Sequence, residues 1–172
     1  MVNDNLTERR LLSFSENSHL NYVSGNGAPY IEKKILIDRG VLCFSVPRGK
    51  GWRQEFFNIE KFDVLYCGTW SEIIAFRFQL MISKSFFEKL GWMELSIVLH
   101  NNLQPWVQLK EIDVKNLRPE RWSQVTVNFI GVDNSFISVN SVNRVIFAFN
   151  SEFEINGNIY LADFEVIQSK RQ

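Results

Sequence analysis

The sequence predicts an all-β chain folded as one antiparallel β-sandwich of the jelly-roll kind. Period-two alternation of apolar and polar residues recurs along most of its length. Turn signals separate about ten short strands, the spacing of a sandwich or barrel. Only one short stretch has the form of a helix start. A chain of 172 residues suits a single domain. That domain is expected over 10–168, with polar, loose ends at 1–9 and 169–172.

In chain order, strands are expected at 11–15, 31–37 and 41–46. Asp38-Arg39-Gly40 joins the last two as a hairpin, and Gly49-Lys50-Gly51 marks a further turn. A strand follows in 56–66. The clearest strand is 73–82, with Ile74, Phe76, Phe78, Leu80 and Ile82 on one face and Arg77 and Gln79 on the other. Ser85-Phe86-Phe87-Glu88 has the capping-box form, so one short helix is expected near 85–90. Strand 93–100 turns Met93, Leu95, Ile97 and Leu99 inward and Glu94, Ser96, Val98 and His100 outward. Strands at 104–109 and 122–129 come next, the first with Trp106 and Gln108 on one face and the second with Val125, Val127 and Phe129 inward. Strands 145–150 and 159–167 close the chain around the turn Asn156-Gly157-Asn158, with Tyr160, Phe164 and Val166 sharing a face.

An apolar content of 45%, including 15 Phe and 5 Trp, is enough for a core without help from disulfides or metals. Cys43 and Cys67 lie in apolar runs without CxxC spacing and read as buried thiols. Basic and acidic residues number 19 each, so the cationic footprint of nucleic-acid binding is missing. No apolar run is long enough to span a membrane. The first ten residues hold no signal-peptide core, which reads as cytoplasmic for the chain as written and extracellular if it was cut from a longer protein.

The C-terminal third resembles galactose-binding-like jelly rolls, a group that includes many carbohydrate-binding modules. The resemblance rests on Arg121-Trp122-Ser123-Gln124-Val125-Thr126-Val127, on 142–149, and on Asn156-Gly157-Asn158-Ile159-Tyr160-Leu161-Ala162-Asp163-Phe164-Glu165-Val166. Leu11-Leu12-Ser13-Phe14-Ser15 is similar to the opening strand. The resemblance implies a sandwich that binds carbohydrate. In many such modules an Asp of the closing strand helps to hold a structural calcium. The matching position here is Ala162, and Ser13 and Ser15 stand where acidic residues are frequent. Calcium takes six to eight oxygens, usually with carboxylates among them. No calcium is therefore expected by that route, although Glu16 offers a carboxylate by another.

Strands 73–82, 93–100 and 104–109 in one sheet would gather Arg77, Gln79, Glu94, His100, Trp106 and Gln108 on its outer face. An indole stacks on the apolar face of a sugar ring, and amide, carboxylate and guanidinium groups bond its hydroxyls. Trp106 is the first choice of platform and Trp52, in the Gly-rich turn, the second. The same residues also read as the solvated face of any half-buried sheet. Glu94 and Arg77 are expected to meet as an ion pair. No HExxH, nucleophile elbow or phosphate-cradling loop is present. Three readings follow: a non-catalytic carbohydrate-binding module; a small enzyme on the same scaffold, lyase-like or cyclase-like, using Glu94 or Asp163; or a protein–protein assembly module. Oligomeric state is left open.

Overall fold

The computed structural model describes residues 6–25, 30–32, 40–66, 72–88, 91–100, 107–129 and 144–169, with 30–32, 45–56, 63 and 153–156 described by their backbone. Among them run β1 (Leu6–Leu12), β2 (Val23–Gly25), β3 (Tyr30–Glu32), β4 (Val41–Glu60), β5 (Ile73–Ile82), β6 (Met93–His100), β7 (Val107–Asp113), β8 (Ser123–Asn128) and β9 (Arg144–Ser169). The strand pairings among the described residues are antiparallel.

The organising unit is a long ribbon. β4 and β9 run side by side from Leu42↔Leu161 to Glu60↔Arg144, with register shifts between Val46 and Gln54. On its other side, the first half of β9 holds β6, from Met93↔Ser151 to His100↔Arg144. The second half holds β5, from Ile73↔Gln168 to Ile82↔Ile159. β1 takes over from β4 beside the end of β9. One layer therefore contains β3, the start of β4, β1, the second half of β9, β5 and β8. The other contains β2, the end of β4, the first half of β9, β6 and β7.

Aromatic rings fill the space between the layers. Phe147 of the second layer meets Phe78 and Phe164 of the first at centroid distances of 5.3 and 6.4 Å, and stacks on Phe57 at 4.3 Å. Pairs in such offset and edge arrangements add about 0.5–1.5 kcal/mol each to the burial itself. Cys43 is buried in β4. No helix among the described residues is long and apolar enough to cross a membrane.

Several elements differ from the expectation. β1 starts at Leu6, inside the stretch read as loose, because its backbone pairs with β9 as far as Ser169. The strand read over 56–66 ends at Glu60, and Phe62–Leu65 forms a single helical turn, α1, which buries Phe62 and Tyr66. The helix expected near 85–90 is a 3-10 turn at Lys84–Phe87, entered from Ser83 without a side-chain cap. The strand read at 104–109 is described as Val107–Asp113, and 104–106 lie outside the described residues. The hairpin turn at 38–39 also lies outside them, although β3 and β4 pair as that hairpin requires.

Two faces also differ. Ile73 rather than Ile74 joins the core, because β5 shifts register against β9 between Ile73 and Ala75. Tyr160 leaves the face of Phe164 and Val166 for the opposite one. The core takes Ile159, Leu161, Phe164 and Val166, so one residue is extra between Leu161 and Phe164. Asp163 is that residue, with a left-handed φ of 52°. Its short polar side chain suits this conformation better than most. In the same layer, Gly40 lies under Phe14, whose carbonyl oxygen would sit 1.5 Å from any Cβ placed there.

Candidate ligand-binding face

Alternation sorts the second layer into an inner and an outer face. The inner face supplies Met93, Leu95, Ile97 and Leu99 of β6, Val145, Phe147 and Phe149 of β9, and Phe57 and Ile59 of β4 to the core. The residues between them turn outward. Register sets these in rows across the strands: Glu94 beside Asn150, Ser96 beside Ala148, Val98 beside Ile146, Asn58 and Ser24, and His100 beside Arg144 and Glu60.

The middle of this face is apolar, a small cluster of Val98, Ile146 and Ala148. Each end carries a polar network. At one end the Ser96 hydroxyl donates to Glu94 Oε1 at 2.8 Å, and Asn150 Nδ2 donates to the same oxygen at 3.4 Å. At the other, Asn58 Nδ2 donates to Ser24 Oγ at 3.2 Å, and that hydroxyl donates to Glu60 Oε1 at 2.5 Å. Arg144 Nε lies 3.9 Å from Glu60 Oε2.

The outward polar residues of a half-buried sheet are ordinarily solvated. Here Asn58, Ser96 and Asn150 are each only 5% exposed. Asn58 Oδ1 is buried and accepts no hydrogen bond among the described residues. A buried acceptor without a partner costs about 1–3 kcal/mol, so such a group marks a place where a donor is missing. The rim is open by contrast. Trp92, just before the inward Met93 and therefore on the outer side by alternation, is 39% exposed. Gln108 stands beside Val98 on β7, is exposed, and donates to Glu111.

Three of the expected binding residues, Glu94, His100 and Gln108, thus share this face. Arg77 and Gln79 do not, because β5 pairs with the second half of β9 and belongs to the other layer. Trp106 lies outside the described residues. Trp52 belongs to β4 at its bend, and its side chain lies outside the described ones. Sequence reading missed Asn58, Asn150, Arg144 and Glu60, whose place on the face depends on pairings with distant strands. The signal that could have placed Trp92 there is its spacing of two from Glu94.

The outer face of the first layer is an ion-pair network. Arg77 Nη1 donates to Glu8 Oε1 at 2.7 Å and Nη2 donates to Glu8 Oε2, while Nε and Nη2 reach Glu165 Oε2 at 3.0 and 2.7 Å. Arg10 lies 3.3 Å from both Glu165 and Asp163. The hydrogen bond from Arg77 holds the Glu8 carboxyl below the usual glutamate range, and the two carboxylates push the Arg77 guanidinium upward. The expected Glu94–Arg77 pair does not form, since its partners lie in different layers.

The calcium implied by the resemblance does not fit these residues. Ala162 offers no ligand, and the Ser13 and Ser15 hydroxyls bond each other at 2.7 Å. Glu16 accepts from Ser18 at 3.2 Å. The buried Asp163 carboxylate already faces the Arg10 guanidinium. Among the described residues no group of three or more His, Cys, Asp or Glu is placed to hold a metal.

No family model and no curated protein matches this sequence. Solved structures do match its fold. A carbohydrate-binding module specific for non-crystalline cellulose, CBM28, is 14% identical, with 93% of this chain and 94% of that one covered and a TM-score of 0.60. The mannan-recognising module TmCBM27 is 15% identical over 95% of this chain and 96% of its own, with a TM-score of 0.59. A family 11 module from Clostridium thermocellum, solved with a β-1,3-1,4-mixed-linked tetrasaccharide, is 12% identical over 96% and 98%, with a TM-score of 0.61. The chain has the β-sandwich fold of these modules.

Proposed function

We propose that this chain is a non-catalytic carbohydrate-binding module whose ligand lies along the outer face of the second layer. The observation that carries the reading is the pair of buried polar networks flanking Val98, Ile146 and Ala148 on an outward sheet face. Hydroxyls of a sugar chain suit Glu94, Asn150, Asn58 and His100, while its apolar ring faces suit the central floor and the Trp92 indole. Trp106 and Trp52 are proposed as further platforms, and Gln108 as a rim contact.

The test is a titration of the whole chain against soluble β-glucans, mannan and xylan by calorimetry, after a glycan array has selected a class. Glu94→Gln is expected to weaken the selected ligand about 10- to 100-fold, the range of one charge-assisted hydrogen bond. Trp92→Ala is expected to weaken it by at least about tenfold, and Arg77→Met to leave it unchanged. A blank array from folded protein, or wild-type affinity in Glu94→Gln and Trp92→Ala together, would overturn the proposal.

A further inference from the structure

We infer that Arg10 supplies, as a built-in cation, the tie between opening and closing strands that the resemblance assigns to calcium, and that the fold neither needs nor takes the ion. The inference starts from a backbone irregularity. β1 shifts register against β9 between Arg10 and Leu12, and β5 shifts against β9 between Arg77 and Gln79. Against β5, two steps from Arg77 to Gln79 face three from Glu165 to Ala162, so β9 carries one extra residue there, whereas the shift against β1 leaves Leu11 extra on β1. The extra residue of β9, Asp163, adopts φ 52°. The bulge leaves Ala162 and Asp163 together between the inward Leu161 and Phe164, and brings a carboxylate to the outer side of the first layer.

Register then sets Arg10 directly opposite Glu165. Its guanidinium reaches Asp163 Oδ1 at 3.3 Å on one side and Glu165 Oε1 at 3.3 Å on the other. Asp163 is buried and Glu165 half-buried, with side chains 7% and 13% exposed, so their charges need a nearby cation. Arg77 supplies a second one to Glu165. A dication entering here would meet two fixed guanidinium groups and would have to displace Arg10 from both carboxylates. The hydroxyls of Ser13 and Ser15, bonded to each other, offer it no charge in return.

The experiment is thermal unfolding of the whole chain, first in EDTA and then in millimolar calcium. No ligand enters it, so its outcome is independent of the sugar-binding proposal. The midpoint is expected to stay within about 1 °C. An ion bound to the native state at about 100 times its Kd would raise it by roughly 5–10 °C, and such a rise overturns the inference. In EDTA, Arg10→Gln and Asp163→Asn are each expected to lower the midpoint by about 2–4 °C. Asparagine retains the shape and the tolerance of left-handed φ, so the second variant removes only the charge. The double variant is expected to lose no more than the worse single one by over about 1 °C, as two halves of one contact should. Wild-type midpoints in both single variants, or fully additive losses in the double, would overturn the tie.

Discussion

Replacing Arg77 with methionine keeps most of the apolar stem and removes the head that joins three strands. Two contacts are lost. The one with Glu8 involves a carboxylate 55% exposed, which returns to water on release, so it contributes well under 1 kcal/mol. The one with Glu165 involves a carboxylate 13% exposed, and charge-assisted bonds of that kind are worth about 1.5–3 kcal/mol. Arg10 remains 3.3 Å from Glu165 and offsets part of the loss. The net cost is about 2 kcal/mol, or roughly 4–8 °C in the unfolding midpoint of a chain this long. The pH dependence follows from the sign of the Glu8 shift. Its folded pKa is depressed, so its contribution is complete above the ordinary glutamate value of 4.5 and is lost as pH falls through the folded value. Circular-dichroism melts of both proteins at pH 7 and at descending pH should show a gap that is constant near neutrality and narrows in acid. A variant within about 1 °C of wild type at pH 7 would refute the network as the source of stability.

Other changes test the packing. Phe147→Ala empties the meeting point of Phe57, Phe78 and Phe164 and should cost about 3–5 kcal/mol in urea unfolding, with little change in the m-value. The two glycine sites should differ. A Cβ on Gly40 meets the Phe14 backbone, which cannot rotate away, so Gly40→Ala should cost at least about 3 kcal/mol or yield little folded protein. A Cβ on Gly157 meets only the side chains of Phe86, Ser85 and Ser83, so Gly157→Ala should cost about 1–3 kcal/mol, read by the same unfolding curve.

Strand identity was legible where alternation was long. β5 and β6 occupy 73–82 and 93–100 as read, because each is bounded by polar or turn residues and presents an unbroken apolar face. The segments read as 145–150 and 159–167 are halves of one strand. Asn156-Gly157-Asn158 looks locally like a reversal, and Gly49-Lys50-Gly51 likewise, yet the two stretches pair with each other, Ile155 against Gly49 and Gly157 against Val46. Turn residues permit a bend; whether the chain reverses or continues depends on a partner far away in sequence. The bulge at Asp163 is hidden for a related reason, since one extra residue flips every later side chain and leaves no compositional trace.

The same limit governs the candidate site. Alternation tells which side chains turn away from the core, and it did so for Arg77, Gln79, Glu94 and His100 alike. It does not tell which layer a strand joins. That depends on where along β9 each strand pairs: β5 meets its second half and β6 its first. Arg77 and Glu94 therefore end on opposite outer surfaces, one locked among carboxylates and the other among neutral donors. The division has a chemical consequence. A guanidinium already shared by two carboxylates has little left to offer a sugar hydroxyl, whereas a carboxylate that accepts from a serine and an asparagine through one oxygen keeps lone pairs for a ligand. The face that keeps unspent hydrogen-bonding capacity is the one to which β6, β9 and the end of β4 contribute together.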